Sequence, residues 1–211
     1  MSTKELEYKK IYDYLKELNP NPKCELNYNK DYEFLISVML SAQTTDKRVN
    51  EVTKELFNKY DSVDSLSSAD IKDIETIIRP LGNYTKKSRA IIDITKTIKE
   101  LGYFPKDRSI LESFPMVGRK TVNVVLGELY NIPNIAVDTH VERVSKRLGL
   151  ARRNADVLGV ERALKRKFPK EEWTKLHLRL VHFGRYYCKA KNPLCEDCKL
   201  KHLCKYKKDS I

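Results

Sequence analysis

Cys188, Cys195, Cys198 and Cys204 form the pattern C-x6-C-x2-C-x5-C, four thiols gathered in one short stretch near the C-terminal end of the sequence. Four sulfurs so close together suit tetrahedral zinc or a 4Fe-4S cluster, and ligand softness alone does not choose between them. A single C-x2-C between longer spacers favours iron–sulfur, because zinc sites more often pair two such knuckles. The fifth cysteine, Cys24, stands far upstream. A dispersed secreted disulfide framework is therefore not expected, and Cys24 reads as a small buried hydrophobe. Between the first two cysteines lie Lys189 and Lys191. A tethered loop would hold their ammonium groups in place to grip phosphates, whereas a loose one would merely be solvated by them.

A second chemistry is suggested by Phe114-Pro115-Met116-Val117-Gly118-Arg119-Lys120-Thr121, a tight turn running directly into a helix. Backbone amides at such a start, with the positive end of the helix dipole behind them, make an anion site. Lys120 falls in the first helical turn, where the dipole opposes a cation and favours a neutral, nucleophilic amine. Asp138 follows in Ala136-Val137-Asp138-Thr139-His140-Val141. It is a natural N-cap, and the same position would aim a carboxylate at a cationic sugar transition state or a proton in flight.

The elements that must position these residues are helices. Apolar residues recur at three and four spacings, and runs of alternation are missing, which predicts an all-α fold. A first helix over 4–18 ends at Asn19-Pro20-Asn21-Pro22. Asp31 is the expected cap of a second, and Thr45 or Asp46 of a third running to Tyr60. Another is expected to start at Ser67 or Ser68 and stop before Pro80. A helix from about Thr85 carries Ile91, Ile94 and Ile98 and ends at Gly102. A short helical turn leads into the hairpin, and helix 119–130 is broken by Asn131-Ile132-Pro133. Asp138 opens a helix that Gly149 closes, and two more follow.

Forty-one Lys and Arg against 29 Asp and Glu leave a formal net charge of +12 spread along 211 residues, which favours a polyanionic partner. No apolar run approaches the roughly 20 residues of a membrane span, and the charged N-terminus lacks an apolar signal core. An intracellular protein is expected, with no membrane partner.

Four motifs in order, Leu40-Ser41-Ala42-Gln43-Thr44-Thr45-Asp46, the hairpin, Val137-Asp138-Thr139-His140-Val141 and the cysteine set, resemble the endonuclease III family of the helix-hairpin-helix DNA glycosylases. The resemblance runs from about Leu15 to Lys205. It implies two all-α domains flanking a DNA-binding cleft: a six-helix barrel with the helix-hairpin-helix over 23–131, and a 4Fe-4S cluster domain built from 1–22 and 132–211. It implies a bifunctional glycosylase and abasic-site lyase of base excision repair, with Lys120 as nucleophile and Asp138 assisting. The partner would be double-stranded DNA containing damaged bases, chiefly oxidised pyrimidines, or abasic sites, bound by a monomer. The expected DNA contacts are Gln43, which fills the gap left by a flipped nucleotide, Asn83, Val117, Gly118, Arg119, Thr121, His140, Lys189 and Lys191.

This chain departs from that pattern twice. Met116 replaces a hairpin glycine, and Asn83 stands where a bulky apolar wedge is usual. A mismatch-specific glycosylase is the alternative enzyme, against which Lys120 argues. A catalytically silent iron–sulfur DNA-binding protein would need neither Lys120 nor Asp138.

Overall fold

The computed structural model describes residues 2–208, with side chains as far as Tyr206. Residues 1 and 209–211 of the expected cluster domain lie outside the described residues. Among the described residues, twelve α-helices and two short 3-10 turns account for the regular structure, and no strand occurs. The helices are α1 (Thr3–Leu18), α2 (Asp31–Leu40), α3 (Asp46–Lys59), α4 (Val63–Ser67), α5 (Ile71–Ile78), α6 (Tyr84–Leu101), α7 (Arg108–Ser113), α8 (Arg119–Tyr130), α9 (Thr139–Arg147), α10 (Val157–Lys167), α11 (Trp173–Tyr186) and α12 (Lys205–Lys208). The chain divides into two compact units, one of Glu25–Tyr130 and one of Met1–Cys24 with Asn131–Ile211.

The Glu25–Tyr130 unit is built around α2, in which every residue from Tyr32 to Leu40 is buried. A helix that is apolar nearly all round must sit inside others, and α3, α6 and α8 pack against it. Its start differs from expectation. Lys30 is the N-cap, and Asp31 is the first helical residue, its carboxylate accepting a 2.8 Å hydrogen bond from the Tyr130 hydroxyl at the end of α8. Helix α3 is capped by Thr45, which accepts from the Arg48 amide.

The helix expected to start at Ser67 or Ser68 does not. Those hydroxyls donate to the Asp64 carbonyl at 2.9 and 2.8 Å and terminate α4. Asp70 caps the following α5 through the Lys72 amide. Helix α6 ends at Gly102, whose φ of 73° closes the last turn in the left-handed conformation that glycine adopts without penalty.

In the other unit, α1 opens with a capping box between Ser2 and Glu5 and buries Ile11, Tyr14 and Leu15 against a core that includes Val141, Val144, Leu164, Leu176, Leu180 and Phe183. Its C-terminal end is fixed by Arg179 of α11, which is 2% exposed. That guanidinium donates to the carbonyls of Asn19 and Pro20 at 3.0 Å each and to the Tyr12 hydroxyl at 2.6 Å. A buried cation with each of its three nitrogens hydrogen-bonded ties the N-terminal helix to the C-terminal part of the chain. Cys24 is half-buried rather than part of a core.

Candidate functional site

Helix α7, the turn 114–118 and α8 form a helix-hairpin-helix. The Val117 amide donates to the Phe114 carbonyl at 3.1 Å, which closes a four-residue turn with Pro115 and Met116 at its centre. Met116 has φ 61°. Since proline cannot take positive φ, the turn is type II, whose third position favours glycine. The Met side chain, 41% exposed, meets a steric cost there that a glycine would not. Val117 is buried and anchors the turn, while a Cβ built on Gly118 would meet nothing within 4 Å. Gly118 thus leaves bare backbone on an open surface, as an anion site requires.

Arg119 and Lys120 are exposed and Thr121 half-buried on the first turn of α8. That helix is held at both ends. Arg108 Nη2 donates to Oδ1 of buried Asn123 at 2.8 Å, and Tyr130 holds Asp31 at the other end. A side chain meant to attack a substrate atom needs such a rigid base.

Gln43 and Asn83 are both exposed, each on a loop of the same unit and each with positive φ, 63° and 49° respectively. Asparagine tolerates that region, but glutamine is rarely found there. The loop of Gln43 follows α2, and that of Asn83 follows the 3-10 turn Arg79–Leu81. Between them, Lys87 of α6 is 2% exposed and donates to the carbonyls of Leu40, Ala42 and Leu81 at 3.0, 3.2 and 3.0 Å.

In the other unit, half-buried Asp138 is the N-cap of α9, and its Oδ1 accepts from the Val141 amide at 2.8 Å. Its Oδ2 accepts no hydrogen bond among the described residues. One carboxylate oxygen is thereby spent on the helix and the other is available. His140 Nδ1 lies 3.2 Å from Arg143 Nη2.

Cys188, Cys195, Cys198 and Cys204 line one small cavity of about 30 Å³, together with Arg147, Phe183, Tyr187 and Leu194. Cys188, Cys198 and Cys204 pack against the core of this unit. Burial, with lesser contributions from the other three cysteines, pushes the Cys198 thiol up. Arg147 Nη1 lies 3.4 Å from Cys188 Sγ, and the same guanidinium donates to the Lys189 carbonyl at 2.7 Å and to that of Ala190 at 3.3 Å. Arg143 donates to the carbonyls of Gly184 at 2.7 Å and Cys188 at 3.2 Å. Two guanidinium groups thus hold the backbone of a loop from which Lys189 and Lys191 project as exposed side chains.

No three His, Cys, Asp or Glu side chains among the described residues are grouped so as to hold a single metal ion. The donor set nevertheless fits a thiolate-ligated cluster: four soft ligands face one cavity with a cation beside them, and a bound metal would reverse the burial that favours the neutral thiol.

The structure brings the four cysteines to one cavity, keeps the hairpin residues contiguous, and joins the Gln43 and Asn83 loops through Lys87. Lys120 and Asp138 belong to different units. Sequence reading missed Lys87, Arg143 and Arg147. Lys87 had a signal, because stepping back four residues from Ile91 along the apolar stripe of α6 lands on it. Arg143 and Arg147, at i and i+4, share a face of α9, but the loop carbonyls they hold lie more than forty residues away in sequence.

Residues 36–170 match the HhH-GPD superfamily of base excision DNA repair proteins. The chain is 44% identical over 207 residues to the endonuclease III of Bacillus subtilis (strain 168), covering 97% of this chain and 94% of that protein. Two solved structures, an endonuclease III in a non-covalent complex with DNA and a trapped covalent endonuclease III–DNA intermediate, each superpose with a TM-score of 0.93 at 44% identity over 100% of this chain and 99% of theirs.

Proposed function

Because the chain belongs to the HhH-GPD superfamily of base excision DNA repair proteins and, within it, to the endonuclease III family, we propose that Lys120 is the nucleophile of a bifunctional DNA glycosylase and abasic-site lyase. The carrying observation is an exposed lysine on the first turn of a helix fixed at both ends and preceded by a bare-backbone turn. The turn and helix start hold DNA phosphate, and Lys120 reaches the adjacent sugar.

The reaction starts with attack of Nζ on C1′ of an oxidised pyrimidine nucleotide. The C1′–N1 bond breaks, its electron pair leaves with the base, and the base takes up a proton. The sugar ring then opens: the C1′–O4′ bond breaks, O4′ keeps its electron pair and takes up a proton, and Nζ gives up its remaining proton, which leaves an imine between Nζ and C1′. Removal of a C2′ proton then expels the 3′ phosphate by β-elimination, and water hydrolyses the imine to return Lys120. No oxidant enters. Asp138, with one oxygen engaged in capping, uses the other to stabilise the cationic sugar and to carry a proton.

The target base must leave the stack, at a cost of a few kcal/mol that is smaller for damaged or mispaired bases. Gln43 fills the vacated space, and Asn83 inserts with less apolar bulk than the usual wedge. Val117, Gly118, Arg119, Thr121, His140, Lys189 and Lys191 contact the backbone of the duplex. Cys188, Cys195, Cys198 and Cys204 hold a 4Fe-4S cluster, which when bound supplies folding free energy to the 188–204 loop and no step of the reaction. The protein acts as a monomer in a reducing intracellular compartment, where thiols ligate metal rather than pair. No described helix is long and apolar enough to cross a membrane.

A duplex carrying thymine glycol tests the roles of the two residues. Lys120→Gln abolishes strand cleavage. Asp138→Asn, which keeps a good helix cap, retains its melting temperature and loses on the order of 10²–10⁴ in the rate of base release. If Asp138→Asn matches wild type while Asp138→Ala loses only stability, the carboxylate is a cap and nothing more.

A further inference from the structure

Lys87 is among the largest fully buried side chains of the protein, and it carries an ammonium group. Burial pushes its pKa below the ordinary lysine value, with no charged neighbour offsetting that push. Compensation comes from three carbonyl oxygens at 3.0–3.2 Å, one for each N–H. The acceptors come from two separate stretches of chain. Leu40 and Ala42 flank the exit of α2, just before Gln43, and Leu81 ends the 3-10 turn just before Gly82 and Asn83. Both stretches then enter backbone of positive φ, Gly82 at 65° and Asn83 at 49°, which suit their residue types, and Gln43 at 63°, where glutamine is rarely found. Strained backbone persists only where its surroundings over-determine it.

We infer that Lys87 is a positioning residue for damage recognition, a buried clamp whose three hydrogen bonds set the Gln43 and Asn83 loops at a fixed separation so that the two side chains enter the duplex as one unit. A surface ion pair would not serve, being solvent-screened and mobile. A single ammonium with all three donors spent fixes both loops to one atom, and neither can shift without leaving a buried carbonyl or a buried cation unsatisfied. The inference rests on the proposed insertion of Gln43 and Asn83 into DNA.

Lys87→Met keeps an unbranched apolar side chain as far as the ε position and removes the ammonium donors. The expected result is a loss of base excision from a thymine glycol duplex on the order of 10–100-fold, the scale of an ångström-sized misplacement. Cleavage of a pre-formed abasic site in a single strand, where no stacked partner has to be displaced, stays within about twofold of wild type. A 2-aminopurine beside the lesion loses its fluorescence gain on binding. Ile94→Ala, a core truncation on the same helix, provides a variant of comparable stability loss and leaves the ratio of the two activities unchanged. Equal losses of both activities in Lys87→Met, or no loss of either, overturn the proposal.

If Lys87→Met does not fold, amide exchange in the wild-type protein decides. The Thr44 and Gly82 amides, each bonded within its own loop, should open with one shared rate, and unrelated rates overturn the clamp. Gln43→Ala and Asn83→Ala separate the two ideas. If neither alters duplex excision, the insertion reading fails whatever the exchange rates show.

Discussion

Replacing Met116 by glycine should make the protein more stable. The residue occupies the third position of a type II turn at φ 61°, next to a proline that fixes the second position. A Cβ in left-handed backbone costs roughly 1–2 kcal/mol, and glycine gives back about 0.5–1 kcal/mol through the larger entropy of its unfolded chain. The side chain is 41% exposed, so little packing is lost with it. The net gain is about 0.5–1 kcal/mol, which for a chain of this size raises the melting temperature by about 1–4 °C. Urea unfolding followed by circular dichroism should move its midpoint upward with an unchanged slope. Met116→Ala keeps the Cβ and should show no gain. The glycine turn also lets backbone approach phosphate more closely, so affinity for undamaged duplex should rise together with stability. A fall of more than about 1 kcal/mol in Met116→Gly, or an equal gain in Met116→Ala, would refute the strain assigned to this turn.

Two further outcomes follow from the cysteine loop. Lys191→Ala should weaken binding to all duplexes alike and reduce the dependence of log K on log salt by about one unit, since it removes one phosphate contact; an unchanged slope assigns Lys191 to solvation. Cys198→Ser should yield protein without the brown colour and visible absorption of an iron–sulfur cluster, with a lower melting temperature and weakened DNA binding. A colourless wild-type protein containing zinc would overturn the cluster assignment.

Much of the fold is legible in the sequence because its signals are local. Thr45, Asp138 and Gly102 are found at the helix ends where capping chemistry places them. The serine pair 67–68 misleads, since the hydroxyls bond backward to Asp64 and end a helix instead of starting one. Asp31 likewise binds the Tyr130 hydroxyl, a partner nearly a hundred residues away that no local rule anticipates. The hairpin strain was readable from Pro115-Met116 once the turn type was known. The partners of four cations were not: Lys87, whose place on the apolar stripe of α6 was readable, and Arg143, Arg147 and Arg179 all act on backbone carbonyls, and a carbonyl acceptor leaves no mark in the sequence.

The central claim, a lysine nucleophile at position 120, is tested most directly by borohydride reduction during reaction with duplexes carrying thymine glycol or an abasic site. Reduction of the imine converts it to a stable amine, so wild-type protein should form a covalent protein–DNA adduct whose modified peptide maps to Lys120. Absence of an adduct on both substrates, an adduct mapped to another lysine, or equal trapping by Lys120→Gln would contradict the account.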